Sequence, residues 1–199
     1  MEFEELDIPG AFVFTPRQFG DDRGLFLEAY KANVFTEALG HPLNLAQVNT
    51  SVSAKGVVRG IHYAALPPSQ AKYVMCSQGA IFDVVVDIRF GSPTFGQWRG
   101  VQLDAENRKA LYLSEGLGHA FVALGETNAV TYLCSEPYAP DREFAIHPLD
   151  PQIGIDWPDV GELLLSAKDS VAPSFEEAQN SGTLASFEDC ARFRASLGE

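Results

Sequence analysis

Hydrophobic and polar residues alternate along much of this chain with the two-residue period of β-strands. The clearest run is Ala80–Arg89, where Phe82, Val84, Val86 and Ile88 alternate with Asp83, Val85, Asp87 and Arg89. A strand of that kind has two chemically different faces. Further strands are expected at Ala11–Phe14, Leu25–Tyr30, Leu45–Ser53, Val57–Tyr63, Lys72–Ser77, Gln97–Leu103, Lys109–Leu113, His119–Leu124, Asn128–Ser135 and Glu143–His147. Turn residues separate them, at Gly79, Gly91-Ser92-Pro93, Gly116-Leu117-Gly118 and Gly125-Glu126. Many short strands at this spacing predict a sandwich or barrel.

Helical patterning is confined to the margins. Asn33–Leu39 stops at Gly40, and Ser174–Gln179 opens after Pro173 with a Ser174/Glu177 capping box. Ser186–Leu197 has a similar Ser186/Asp189 start and ends at Gly198. No internal repeat or low-complexity segment divides the chain. A single domain over residues 1–199, with a helical tail from about residue 174, is expected.

Charge narrows the partners. Asp and Glu number 27 against 14 Lys and Arg, a formal net charge of −13. Long-range repulsion then opposes general binding to nucleic acid, so a nucleotide would need a few basic residues gathered in one pocket. The three cysteines form no C-x-x-C, and Cys76 and Cys134 lie in apolar runs as small core residues would. The start, MEFEELDIPG, is acidic rather than apolar, and no run approaches the ~20 apolar residues of a membrane helix. The expected location is the cytoplasm, without a membrane partner.

Four histidines are candidates for chemistry. His41, between Gly40 and Pro42, reads as a surface turn residue, and His147, before Pro148, as structural. His62 and His119 instead sit in strand-like runs of apolar and small residues, as do Arg59, Lys72 and Tyr132. A polar group pointing into a small barrel is costly unless it is paired or used. Gln47 and Asn49 share one strand face, and Tyr132 shares its face with Val130 and Cys134. Arg59 and His62 would point oppositely on a regular strand, but Gly60 between them could mark a bulge that turns both into one pocket. Asp83 is either a partner for a pocket histidine or, with Asp87, exposed to solvent.

Barrels of the cupin type often hold a metal with an H-x-H pair, a Glu and a later His. The later His is recognisable in Ser114-Glu115-Gly116-Leu117-Gly118-His119. The first half is missing, because Ala64 stands two after His62 and the nearby polar residues are Gln70 and Lys72. A catalytic transition metal wants three ligands and no adjacent ammonium, so no metal is expected.

One long signature joins these pieces. It runs Gln47-Val48-Asn49-Thr50-Ser51-Val52-Ser53, Gly56-Val57-Val58-Arg59-Gly60-Ile61-His62, then Pro67-Pro68 through Gln70-Ala71-Lys72. It continues with Asp83-Val84-Val85-Val86-Asp87-Ile88-Arg89, Gly91-Ser92-Pro93-Thr94-Phe95-Gly96 and Gly118-His119-Ala120-Phe121. Over about residues 3 to 182 the chain closely resembles the dTDP-4-dehydrorhamnose 3,5-epimerase family. The resemblance implies an all-β, double-stranded β-helix (a cupin-like jelly-roll barrel) with short peripheral helices, a homodimer with shared strands, and no cofactor. It implies His62 as base, Asp169 of Ser166-Ala167-Lys168-Asp169 as its orienting carboxylate, Tyr132 as proton donor and Lys72 beside the sugar keto oxygen. His119 lines the same pocket. By the same resemblance Arg23, Phe26, Glu28, Gln47, Asn49, Arg59, Glu143 and Lys168 bind the nucleotide sugar, and Tyr138 stacks on thymine. Ala120, Ile61 and Tyr63 depart from the commoner Gly, Leu and Phe, and in this the chain looks similar to epimerases of antibiotic deoxysugar pathways.

These residue types suit proton abstraction beside a ketone. The C–H bond is acidic only because the carbanion delocalises onto oxygen, so a base is needed at carbon and a positive group at oxygen. Imidazole, with an ordinary pKa near 6.5, is a suitable base. Inversion requires reprotonation from the opposite face, hence a second donor. The expected activity is inversion at C3, C5 or both of a dTDP-4-keto-6-deoxyhexose. The alternatives are a nucleotide-sugar keto-isomerase on a cupin fold and a non-catalytic sugar-nucleotide-binding cupin.

Overall fold

The computed structural model describes residues 1–198, and Glu199, the last residue of the expected domain, lies outside the described residues. Thirteen strands are present among them: β1 (Glu2–Glu5), β2 (Ala11–Thr15), β3 (Gln18–Asp21), β4 (Gly24–Leu27), β5 (Gln47–Ala54), β6 (Val58–Ala64), β7 (Lys72–Gln78), β8 (Ala80–Val86), β9 (Trp98–Asp104), β10 (Ala110–Leu113), β11 (Gly118–Ala123), β12 (Thr127–Cys134) and β13 (Glu143–Ala145). Three helices flank them: α1 (Ala32–Leu39), α2 (Phe175–Asn180) and α3 (Phe187–Ser196). The strands form a six-stranded sheet in the order β1-β2-β10-β7-β12-β5 and a five-stranded sheet in the order β13-β6-β11-β8-β9, with β3 and β4 as a separate hairpin. The architecture is the expected cupin-like β fold with short peripheral helices.

Period-two patterning places the core. Val13, Val74, Leu111 and Val130 of one sheet meet Ile81, Val85, Leu103 and Phe121 of the other in a shared apolar layer. The outward face of the five-stranded sheet is covered as well, by Ile146, Ile153, Leu184 and α2 residues Phe175 and Ala178 packed on Ile61, Val84, Val86 and Ala120. On the other side, Phe35 of α1 packs on Phe12, Phe14, Tyr73 and Tyr112. Helix α2 carries the full capping box expected of Ser174 and Glu177, and the Ser186 side chain caps α3.

Several expectations need correction. Strand β8 ends at Val86 rather than Arg89, because Arg89 folds back onto Asp87, with Nε donating to Oδ1 at 2.9 Å and Nη2 to Oδ2 at 2.7 Å. Of the two alternatives for Asp83, partner of a pocket histidine holds, since the polar face of β8 points between the sheets. Asp87, just past β8, is buried rather than solvent-exposed, because Arg89, Ser92 and Thr94 close over its carboxylate. His41 is 5% exposed rather than a surface residue, packed edge-on against Phe35. Strands β1 and β3 were not expected, for every residue in both is exposed and no burial alternation marks them. Cys76 and Cys134 are buried as read from their surroundings.

Candidate active site

The site begins at Gly60. Against β11, His119 pairs with His62 and Phe121 with Arg59, so two steps on one strand face three on the other. β6 therefore carries one extra residue, a bulge at the position where glycine interrupts the strand. Gly60 has φ +111°, and a Cβ there would lie 2.4 Å from the His119 carbonyl oxygen and 2.7 Å from the Ala120 Cα. Only glycine fits that approach. The bulge sends Ile61 and Tyr63 outward into the covered apolar cluster. Arg59 points the other way and reaches β5, its Nε donating to Ser53 Oγ at 3.1 Å.

His62 meets Asp169, which sits on a short 3-10 turn (Asp169–Val171), with Nε2 2.7 Å from Oδ1. The carboxylate's second oxygen accepts from Ser166 Oγ at 2.9 Å. Burial pushes the Asp169 carboxyl up, but the His62 bond and charge, with Ser166 and the Gly60 N–H, outweigh it and hold the group below the ordinary carboxylate range. An ionised carboxylate only accepts, so Nε2 carries the ring proton and Nδ1 is left bare.

A second imidazole–carboxylate pair lies behind the first. His119 Nε2 is 2.7 Å from Asp83 Oδ1, and both side chains are almost wholly buried. Burial raises the Asp83 carboxyl, against the opposing pull of His119 and Lys72. Lys72, on the facing sheet, is buried and held below the ordinary lysine value by loss of solvent, offset in part by Glu143, Cys134 and Asp83. Cross-strand register sets Lys72 beside Cys134, and Tyr132, two residues earlier on β12, opposite Asn49. Burial pushes the Tyr132 hydroxyl above its ordinary value.

Along β5, Gln47 Nε2 donates to Asn49 Oδ1 at 2.7 Å, and Asn49 Nδ2 points at Cys134 Sγ at 3.7 Å. The backbone N–H of the exposed Tyr138 donates to Gln47 Oε1 at 2.9 Å, tying that ring to the same strand. Pairwise contacts and register thus link His62 to Asp169, His119 to Asp83, Gln47 to Asn49 and Asn49 to Tyr132, while Lys72 and Tyr132 both feel the Glu143 charge and Tyr132 that of Arg59. Lys168, beside Asp169, is exposed. The other three candidates stand apart on and beside the β3–β4 hairpin. There Arg23 pairs with Asp21, Phe26 is 65% exposed and Glu28 pairs with Lys31. Ser53 and Ser166, which hold Arg59 and Asp169, were not singled out from the sequence. Strand parity with Gln47 and Asn49 is the signal that could have found Ser53, whereas Ser166 had no signal beyond its spacing from Asp169.

Among the described residues no three His, Cys, Asp or Glu side chains converge as metal ligands. The two pocket imidazoles each spend Nε2 on a carboxylate, and the buried Lys72 lies near enough to act on one of those carboxylates, Asp83.

A family model described as dTDP-4-dehydrorhamnose 3,5-epimerase matches residues 5–177. The dTDP-4-dehydrorhamnose 3,5-epimerase of Mycolicibacterium smegmatis is 55% identical over 197 residues, covering 99% of this chain and 97% of its own. The RmlC epimerase of Mycobacterium tuberculosis superimposes with a TM-score of 0.97 at 50% identity, covering 99% of this chain and 100% of that one. ChmJ, a 3'-monoepimerase from Streptomyces bikiniensis solved with dTDP-quinovose, superimposes with a TM-score of 0.94 at 46% identity, covering 97% and 98% of the two chains.

Proposed function

We infer the activity from the premise that the chain belongs to the dTDP-4-dehydrorhamnose 3,5-epimerase family. It is an isomerase that inverts C3, C5 or both in a dTDP-4-keto-6-deoxyhexose. The observation that carries the mechanism is the His62–Asp169 pair at 2.7 Å, with the buried Lys72 and the half-buried Tyr132 on the facing sheet.

His62 takes the proton α to the C4 ketone on Nδ1, and Asp169 fixes the tautomer and stabilises the imidazolium that forms. The Lys72 ammonium faces the keto oxygen and stabilises the enolate in a site where little water screens the charge. Tyr132 returns a proton to the opposite face, which inverts the centre. Arg59, Gln47, Asn49, Glu143 and Lys168 hold the nucleotide sugar, and Tyr138 offers a ring for thymine. His119, fixed by Asp83, lines the pocket wall. No cofactor takes part, since the ketone itself makes the proton acidic.

Arg23, Phe26 and Glu28 complete the site of a second copy in a homodimer. The support is apolar surface in two places. Phe19, Leu25 and Phe26 of the β3–β4 hairpin are 45%, 47% and 65% exposed, and Val48 and Val52 of edge strand β5 are 54% and 63% exposed. The cytoplasm is the compartment that fits three unpaired cysteines. No helix among the described residues is long and apolar enough to cross a membrane.

Incubation with dTDP-4-keto-6-deoxyglucose in deuterated water, followed by NMR of the sugar, tests the reading. Deuterium at C3, C5 or both with inversion is expected. A carbonyl moved along the ring would instead identify a keto-isomerase, and no exchange at all a non-catalytic binder.

A further inference from the structure

On the side of the six-stranded sheet covered by α1, the turn after α1 and the C-terminal helix α3 close over a small cavity. Its volume is about 20 Å³, and its walls include His41, Tyr112, Glu115, Ser135 and the α3-side residues Phe193 and Leu197. The polar members of this wall are deeply buried: His41 is 5% exposed, Tyr112 0% and Glu115 2%. Each of the three carries one buried polar atom without a protein partner among the described residues: His41 Nε2, Tyr112 OH and Glu115 Oε2. A polar atom left so in a folded core costs free energy, and three of them on one wall call for a common partner.

The bonds these side chains already make fix what that partner must be. His41 Nδ1 lies 2.9 Å from the carbonyl oxygen of Pro42, which can only accept, so Nδ1 bears the proton and Nε2 is an acceptor. Glu115 Oε1 accepts from Ser135 Oγ at 3.5 Å, which leaves Oε2 as a second acceptor. The Tyr112 hydroxyl can donate. The cavity therefore presents two acceptors and one donor. A water molecule, with two O–H groups and lone pairs, is the complement of that set. Its size agrees, because ~10–15 Å³ of such space holds one water. A monovalent cation would meet the same oxygens, but the Arg194 guanidinium lies close enough to act on both Glu115 and Tyr112 and opposes a second positive charge.

We propose that His41, Tyr112 and Glu115 form a binding site for one internal water, and that this water fastens the turn after α1 to the distant β10 and the turn that follows it. His41 follows α1, Tyr112 lies on β10, and Glu115 stands in the turn that leads into β11 and His119. Helix α3 lies over the joint. The site belongs to the scaffold rather than to the reaction, and it is independent of the activity assigned above.

A crystal structure of the full chain at about 1.5 Å, grown in sodium salts and again in rubidium chloride, tests the site directly. A solvent peak within hydrogen-bond distance of all three atoms in both crystals is expected. Absence of that peak, or an anomalous rubidium peak in its place, overturns the assignment. Thermal melting of Tyr112→Phe gives a second readout of opposite sign for the two cases. If the hydroxyl donates to a water, its loss lowers the melting temperature by about 2–4 °C, with turnover unchanged. If the hydroxyl has no partner, its loss leaves the melting temperature unchanged or raises it, and the proposal fails.

Discussion

His62 and Asp169 stand 107 positions apart in the chain and meet at 2.7 Å, Nε2 to Oδ1. The contact leaves Nδ1 as the basic nitrogen and makes the carboxylate the group that fixes it. Substitutions at the two faces of the substrate should therefore separate. His62→Ala removes the base and is expected to abolish deuterium exchange from solvent at every carbon. Tyr132→Phe removes only a hydroxyl, so exchange should persist while inversion falls, each loss amounting to about 10²- to 10⁴-fold. NMR of the sugar in deuterated water reads both. Exchange at the wild-type rate in His62→Ala would transfer the role of base to His119.

The alkaline side of the pH profile should belong to Lys72. Burial holds its ammonium below the ordinary value of 10.5, while burial pushes the Tyr132 hydroxyl above 10.0. As pH rises Lys72 loses its proton first, so turnover is expected to fall below pH 10.5 and the limb to vanish in Lys72→Arg. Because the folded-state pKa is depressed, the folded protein binds fewer protons than the unfolded chain in the window just below 10.5. Stability from this residue thus increases with pH there. Initial rates and melting temperatures measured between pH 7 and pH 10.5 check the two opposite trends.

Gly60→Ala should damage both fold and site. The added Cβ meets backbone atoms of His119 and Ala120 at 2.4 and 2.7 Å, which cannot yield as a flexible side chain would. A loss of about 3 kcal/mol or more is expected in denaturant unfolding, with turnover reduced because Arg59 and His62 both hang on this bulge. A variant as stable and active as the parent would show that the bulge is not needed.

Chelation should leave turnover intact. The imidazoles of His62 and His119 each give Nε2 to a carboxylate, and Lys72 shares their pocket. Activity assayed after exhaustive dialysis against a strong chelator is expected to match the untreated enzyme. Loss restored by one divalent metal would contradict this.

Sedimentation equilibrium should find a dimer, about twice the 21.7 kDa of the chain, at micromolar concentration. Phe26→Asp, on the exposed hairpin, should weaken it and raise KM for the nucleotide sugar more than it lowers kcat. A monomer of full activity would count against the shared site.

Much of this protein was written locally in its chain. Period-two alternation and glycine turns located most of the strands, since burying one face of a strand demands that pattern. The same local reading placed Gly60 between Arg59 and His62 and marked it as a bulge. What the sequence could not decide was which way each face points and what meets across the fold. On β8 the alternation was visible, but tertiary packing covered the apolar face with the C-terminal segment and turned Asp83 inward. The family resemblance named Asp169 for His62, as the fold has it, but no local pattern joined the two, and only the fold gave Asp83 to His119. His41, hydrophilic and flanked by turn residues, gave no sign of burial, because the surface that covers it comes from α3 at the far end of the chain. Local patterning reports what a segment wants to bury, and only the assembled fold supplies the partner.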